Sequence, residues 1–97
     1  MAAVNMVVLA PGDNVGVATR DIASGQQARD LRGITVDAIE TIPLGHKVAL
    51  RDIAGEELVV RFGVPVAAAR LPIARGALVH VHNVRSRYLN NDEDHYE

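Results

Sequence analysis

Four times this chain sets an isoleucine a short, near-constant distance ahead of a glycine. Ile22-Ala23-Ser24-Gly25, Ile42-Pro43-Leu44-Gly45 and Ile73-Ala74-Arg75-Gly76 share the spacing Ile-x-x-Gly, and Ile53-Ala54-Gly55 is a version one residue shorter. The physical reading is a corner. The isoleucine plugs the core while the glycine takes a positive φ that other residues resist. In three of the four cases an extended segment follows almost at once. Such turn-then-strand units build compact all-β domains with twisted, irregular strands, and these are too short and uneven for a solenoid.

Period-two alternation places the strands between the corners. Segments 4–9, 13–18, 34–39, 46–51, 57–62, 64–70 and 78–84 read as extended, which predicts a small all-β barrel or clip of six or seven strands. Residues 19–33 are polar and carry Gly25 and Gly33, so most of this stretch reads as a long loop, with room for one helical turn over 26–31. Pro65 lacks an amide donor and sits at a sheet edge or a bulge. The apolar pattern stops at Arg85. One domain over residues 1–87 followed by a polar, acidic, mobile tail over 88–97 is expected.

Aromatics are almost absent (one Phe, two Tyr, no Trp), so the core is aliphatic. No cysteine is present, which removes disulfides, a thiol nucleophile and cysteine-ligated zinc. The first residues carry neither a basic leader nor a long apolar run, and no stretch approaches a membrane span; a cytoplasmic protein without membrane contact is expected. Net charge is −2, with Asp92, Glu93, Asp94 and Glu97 concentrating acid at the end. The bases are scattered and nearly all Arg, which hints at carboxylate or phosphate recognition and not at a nucleic-acid surface.

Two of the four histidines fall in the final segment, Leu78-Val79-His80-Val81-His82-Asn83-Val84. As one strand it puts Leu78, His80, His82 and Val84 on one face and Val79, Val81 and Asn83 on the other. The two imidazoles then start about 7 Å apart and could converge on a metal, an anion or a sugar hydroxyl. The plain alternative is a pair of half-buried histidines bonding nearby backbone, and the spacing fixes no third metal ligand.

Asp13-Asn14-Val15, Ile42-Pro43-Leu44-Gly45-His46-Lys47-Val48-Ala49-Leu50, Gly55-Glu56, Arg61-Phe62-Gly63, and Gly76 with Val79-His80-Val81-His82-Asn83 together resemble the SAF domain of altronate and galactarate dehydratases. The resemblance runs from about Asp13 to Val84. It implies a small β-clip fold and membership of a metal-dependent sugar-acid hydro-lyase, in which this domain is an N-terminal part or a separate small subunit. Arg61-Phe62-Gly63 stands where the family commonly has Lys-Tyr-Gly, and Ala77 where it commonly has Glu. Sulfolactate sulfo-lyase, which also uses a small subunit, resembles the same family.

Dehydrating a sugar acid requires a base, an acid for the departing hydroxyl and positive charge for the enediolate. The resemblance makes His46, His80 and His82 the catalytic candidates and Lys47, Arg61, Asn83, Asp13 and Asn14 the substrate-binding ones, with His80 and His82 the candidate metal ligands. Ordinary turn chemistry is the plain alternative for Asp13-Asn14. Strand phase puts His46 with Val48 and Leu50, and Lys47 with Ala49 and Arg51 towards water, unless Gly45 bends the entry so that His46 meets His80 and His82. No paired Asp/Glu cluster marks a complete site, so a divalent iron, manganese or magnesium is expected mainly on a large catalytic partner. The expected function is the small subunit of an altronate/galactarate-type dehydratase, inactive alone. The alternatives are a non-catalytic carbohydrate- or anion-binding module and the sulfo-lyase subunit. Exposed strand edges also suggest a homodimer.

Overall fold

The computed structural model describes residues 3–80 and 84–86. Within them the chain forms nine short strands: β1 Met6–Val7, β2 Val15–Ala18, β3 Gln27–Arg29, β4 Thr35–Asp37, β5 Lys47–Ala49, β6 Leu58–Arg61, β7 Val64–Ala69, β8 Leu78–Val79 and β9 Val84–Ser86. All pairings are antiparallel, in a central sheet of order β1-β2-β5-β8, a β3-β4 hairpin and a β6-β7-β9 sheet. The all-β expectation holds. The predicted loop over 19–33 is in part a strand, β3, and its helical turn does not form. The single buried residue of β3, Ala28, is too small to signal a core face in the sequence. The last segment is not one continuous strand either: β8 ends at Val79. Pro65 lies at a bulge, where the β6-β7 register shifts between Val59 and Val60.

The central sheet has a core on each side. Neighbouring residues of β5 point to opposite faces, as strand geometry requires. Val48 joins Met6, Ala18, Ile22, Val36 and Ile42 beneath the β3-β4 hairpin. Ala49 joins Val15, Ile53, Val59, Ile73 and Val79 beneath the β6-β7 hairpin.

The corners form two matched pairs. Ile22 and Ile42 exchange both backbone hydrogen bonds (2.9 and 2.8 Å), and Ile53 and Ile73 do the same (2.8 and 2.7 Å). All four side chains are buried, as the corner reading required. The match extends to side chains. The Ala23 amide donates to Gln26 Oε1 at 2.9 Å, as the Ala54 amide does to Glu57 Oε1 at 2.8 Å. Leu44 N donates to Asp21 Oδ1 at 2.8 Å, as Arg75 N does to Asp52 Oδ1 at 2.9 Å. Buried Asn5 accepts from Arg29 N and donates to Gln27 O, while buried Asn14 accepts from Val60 N and donates to Leu58 O. Each asparagine thus ties one hairpin to the central sheet.

The Ile53 corner corrects the sequence reading, because it is not a residue shorter. Gly25, Gly45 and Gly76 take φ of 87°, 85° and 87°, and in the fourth corner Glu56, at 69°, does what those glycines do while Gly55 does not. Gly76 is further constrained, since a Cβ there would lie 2.1 Å from the Asp37 carbonyl oxygen.

Opposite substitutions at these two corners should have opposite effects. Glu56→Gly relieves a left-handed side-chain residue and is expected to stabilise by roughly 0.5–1 kcal/mol, raising Tm by about 2–8 °C for a chain of this size. Gly76→Ala should cost at least about 2 kcal/mol, since backbone strain and a backbone clash add. Thermal unfolding followed by circular dichroism distinguishes the two. The Arg51 guanidinium, 2.7 Å away, together with the Ala54 amide holds the Glu57 carboxyl below its ordinary value of 4.5. Because the folded-state pKa is depressed, this contribution is present above the ordinary glutamate range and is lost as pH falls through the folded value. Glu57→Gln should therefore make Tm fall less between neutral pH and pH about 3, as read by acid-range melts.

Candidate functional site

His46 and His80 are brought together by register. β5 and β8 pair Lys47 with Val79 and Val48 with Leu78, so the next position outward sets His46 opposite His80. The rings stack with centroids 5.1 Å apart and planes 16° from parallel. On the other side of β5, Ala18 N donates to His46 O at 2.8 Å, which fixes the backbone beneath the ring. The Pro43–Gly45 corner delivers His46 to this place: His46 N donates to Pro43 O at 3.0 Å, and Gly45 N to Ala18 O at 2.8 Å. His46 Nδ1 lies 3.4 Å from the Leu44 carbonyl oxygen. Both histidines are half-buried. The juxtaposition of His46 with His80 is therefore present, while His82 and Asn83 lie outside the described residues.

The other candidates are placed elsewhere. Lys47 is half-buried and stays in register with Val17 and Val79. Gly45 turns the chain but does not break strand alternation, so Lys47 starts on the face opposite His46. That face is not the water face expected, since Ala49 on it is fully buried. Arg61 is exposed at the end of β6. Its hairpin turn is held by Asp13, which precedes β2, whereas His46 sits against Ala18 at the far end of that strand. At about 3.3 Å per residue, Asp13 and Ala18 are on the order of 15 Å apart along the chain.

Asp13 and Asn14 are occupied by the fold. The Asp13 carboxylate accepts from Ala10 N at 3.1 Å, Phe62 N at 2.7 Å and Gly63 N at 2.8 Å, and the residue is buried. Asn14 is pinned to β6 at both ends of its amide. The pair thus bonds backbone, but apart from Ala10 that backbone is distant in sequence and not their own turn.

Sequence reasoning missed Asp21 and Asp52, the carboxylates that brace the second corner of each pair. The signal was an Asp immediately before Ile in two of the four corners. It also missed Glu40, whose Oε2 accepts from Leu78 N at 2.9 Å beside β8.

The arrangement does not by itself amount to a metal site. Among the described residues no group of three or more His, Asp or Glu is placed to share an ion. Two stacked imidazoles supply at most two nitrogen donors, and magnesium in particular prefers an octahedron of oxygens. Three concavities of about 470, 310 and 420 Å³ lie elsewhere, and none is lined by His46 or His80. No helix among the described residues is long and apolar enough to cross a membrane.

A corner-braced all-β domain with a half-buried imidazole pair at a sheet end is the class that fold and site define. The chain belongs to the altronate/galactarate dehydratase SAF domain family, whose model matches residues 4–87. It is 38% identical over 85 residues to an altronate dehydratase of Escherichia coli, covering 88% of this chain and 17% of that protein. It is 35% identical over 74 residues to the altronate dehydratase of Bacillus subtilis, covering 76% of this chain and 15% of the relative. The (2R)-sulfolactate sulfo-lyase subunit alpha of Chromohalobacter salexigens is 33% identical over 72 residues, 74% of this chain and 77% of that subunit. The chain thus spans less than a fifth of the altronate dehydratases it matches.

Asp13→Ala should separate scaffold from site. It strands three backbone amides and is expected to cost about 2–4 kcal/mol in urea unfolding. At urea concentrations where the variant is still folded, the ring contacts between His46 and His80 should persist, read as cross-peaks between the two imidazoles.

Proposed function

We propose that this chain is the small subunit of a sugar-acid hydro-lyase of the altronate/galactarate dehydratase type, contributing side chains to a cleft that a large catalytic chain completes. The observation that carries the reading is the His46–His80 stack on a domain of this family. The coverage figures support a shared site, because most of each altronate dehydratase lies outside the region this chain matches.

In this reading the reaction is an elimination. A base takes the proton beside the carboxylate, the electron pair moves into the carbon framework, and the neighbouring hydroxyl leaves with a proton as water. His46, His80 and His82 supply the proton-handling groups, imidazole being the side chain that both gives and takes a proton most readily. Asn83 is the remaining candidate for holding the substrate, Lys47 only if its side chain reaches round from the face opposite His46, Arg61 only if the cleft extends along β2, and Asp13 and Asn14 are left to the fold. A divalent iron, manganese or magnesium, held mainly by the partner, would supply positive charge for the enediolate. The assembly works in the cytoplasm.

A second reading is supported by the sulfo-lyase relative, since the match runs over most of a chain that is itself named a subunit. There the leaving group would be a sulfur oxyanion instead of hydroxide. The third, a non-catalytic carbohydrate- or anion-binding module, remains distinct because fold alone does not fix function.

Affinity capture of the tagged chain from its source should retain a large metal-binding chain, and only the mixture should turn altronate or galactarate into a 2-keto-3-deoxy acid. The double variant His80→Ala, His82→Ala should lower turnover of that mixture at least 10²-fold. Unchanged turnover removes the catalytic role of the pair. Activity on sulfolactate alone selects the second reading, and tight sugar-acid binding without any partner selects the module.

A further inference from the structure

We propose that the outer face of the β6-β7 hairpin, with Phe62 at its tip, is the surface on which the large catalytic chain docks. This deepens the proposed function and rests on it for the identity of the partner.

The two hairpins of this fold follow one plan, so each is a control for the other. Gln27 O and Leu58 O each accept from an asparagine pin, and Arg29 N and Val60 N each donate to one. Ala38 O accepts from Gly25 N as Ala69 O accepts from Glu56 N. The inward residues agree: Ala28 and Val36 are buried in one hairpin, Val59 and Ala67 in the other. The outward residues differ. Gln27, Arg29 and Asp37 stand where β6-β7 has Leu58, Val60 and Ala68. A hairpin of this plan therefore folds with a polar outer face, and the apolar one is not required by the core. Leu58 is 40% exposed, and Val60 and Ala68 are part-buried. The face and not the edge is on offer, because β9 pairs along β7 and Asn14 bonds the outer edge of β6.

The tip carries a cost that the isolated domain does not recover. Phe62 and Gly63 form a two-residue loop between the paired Arg61 and Val64, at φ 57° and 72°. Glycine suits that conformation and a bulky side chain in it is strained. The β3-β4 turn closes without such strain, its left-handed residue being Gly33 at 91°. Phe62 is 65% exposed, so its ring returns little by burial. The Asp13 carboxylate accepts both loop amides, at 2.7 and 2.8 Å, and fixes the direction of the tip. A rigid aromatic beside an exposed arginine, Arg61, is the composition of an interface centre, and prior rigidity lowers the ordering cost of binding. In the altronate dehydratases the matched region is 17% and 15% of one polypeptide, so it is tethered to a far larger mass of chain at high effective concentration. The complement required on that chain is an apolar surface with an acidic rim for Arg61.

The test reads one variant twice. Phe62→Asn in the isolated chain should raise Tm by at least about 2 °C, because asparagine tolerates the left-handed region. Titrated into the large chain captured on wild-type bait, the same variant should bind at least about 10-fold more weakly. Leu58→Ser should weaken binding in the same direction, Phe62→Tyr, which keeps the ring, should stay within about 3-fold of wild type, and Gln27→Ser, at the matching place on the polar hairpin, should bind as wild type. A fall in Tm for Phe62→Asn makes the ring part of the fold and overturns the inference. So does undiminished binding of Phe62→Asn and Leu58→Ser to a captured large chain, which leaves the proposed function standing. A loss at Gln27→Ser equal to that at Leu58→Ser also overturns it. Dimerisation of the isolated chain that Leu58→Ser abolishes assigns the face to a second copy and overturns it. Failure of the wild-type chain to capture any large chain overturns both readings.

Discussion

Everything in this fold hangs on two buried side-chain amides. Asn5 and Asn14 each use the carbonyl and the amino group of one side chain to satisfy opposite-polarity groups on a neighbouring strand, Arg29 N with Gln27 O and Val60 N with Leu58 O. A buried polar group that loses its partner costs about 1–3 kcal/mol, and here each amide secures two such partners at once. That is how strands of two to six residues, too short to hold a sheet by their own ladders, become fixed to a common centre. The isoleucine corners then close each half. Their side chains enter opposite cores, and their backbones bond to each other.

Much of this was legible in the residues. The Ile-x-x-Gly recurrence located the corners and the burial of their isoleucines, and alternation located every strand but β3 and the separate start of β9. What was not legible has physical causes. β3 packs through Ala28, a residue whose small side chain carries almost no periodic signal. The fourth corner tolerates Glu56 in a conformation where glycine is the rule, so its glycine pointed to the wrong position. The asparagine pins join residues far apart in sequence, and no local pattern announces which strand an Asn will reach.

The site divides in the same way. His46 and His80 could be suspected from the chain, and what unites them is the β5-β8 register continuing one step past its last hydrogen-bonded pair. Aromatic cross-strand neighbours of this kind favour contact through their ring faces. Asp13 and Asn14 were site candidates through the family resemblance, with turn chemistry as the plain alternative. Burial reverses the site reading, since all of their side-chain oxygens already hold backbone amides. Among the described residues the half-buried imidazole pair lies apart from the three concavities.

The sharing of β5 between two interiors has a consequence for how this sequence tolerates change. Val48 belongs to one interior and Ala49 to the other. Sliding that strand by a single position would drive valine volume into the compartment shaped for alanine and leave a void in its neighbour, so one error is penalised twice. Frame is therefore enforced from both sides of a three-residue segment. Insertions and deletions in descendants of this chain should accumulate in the β3-β4 hairpin tip and spare the stretch between Gly45 and Leu50.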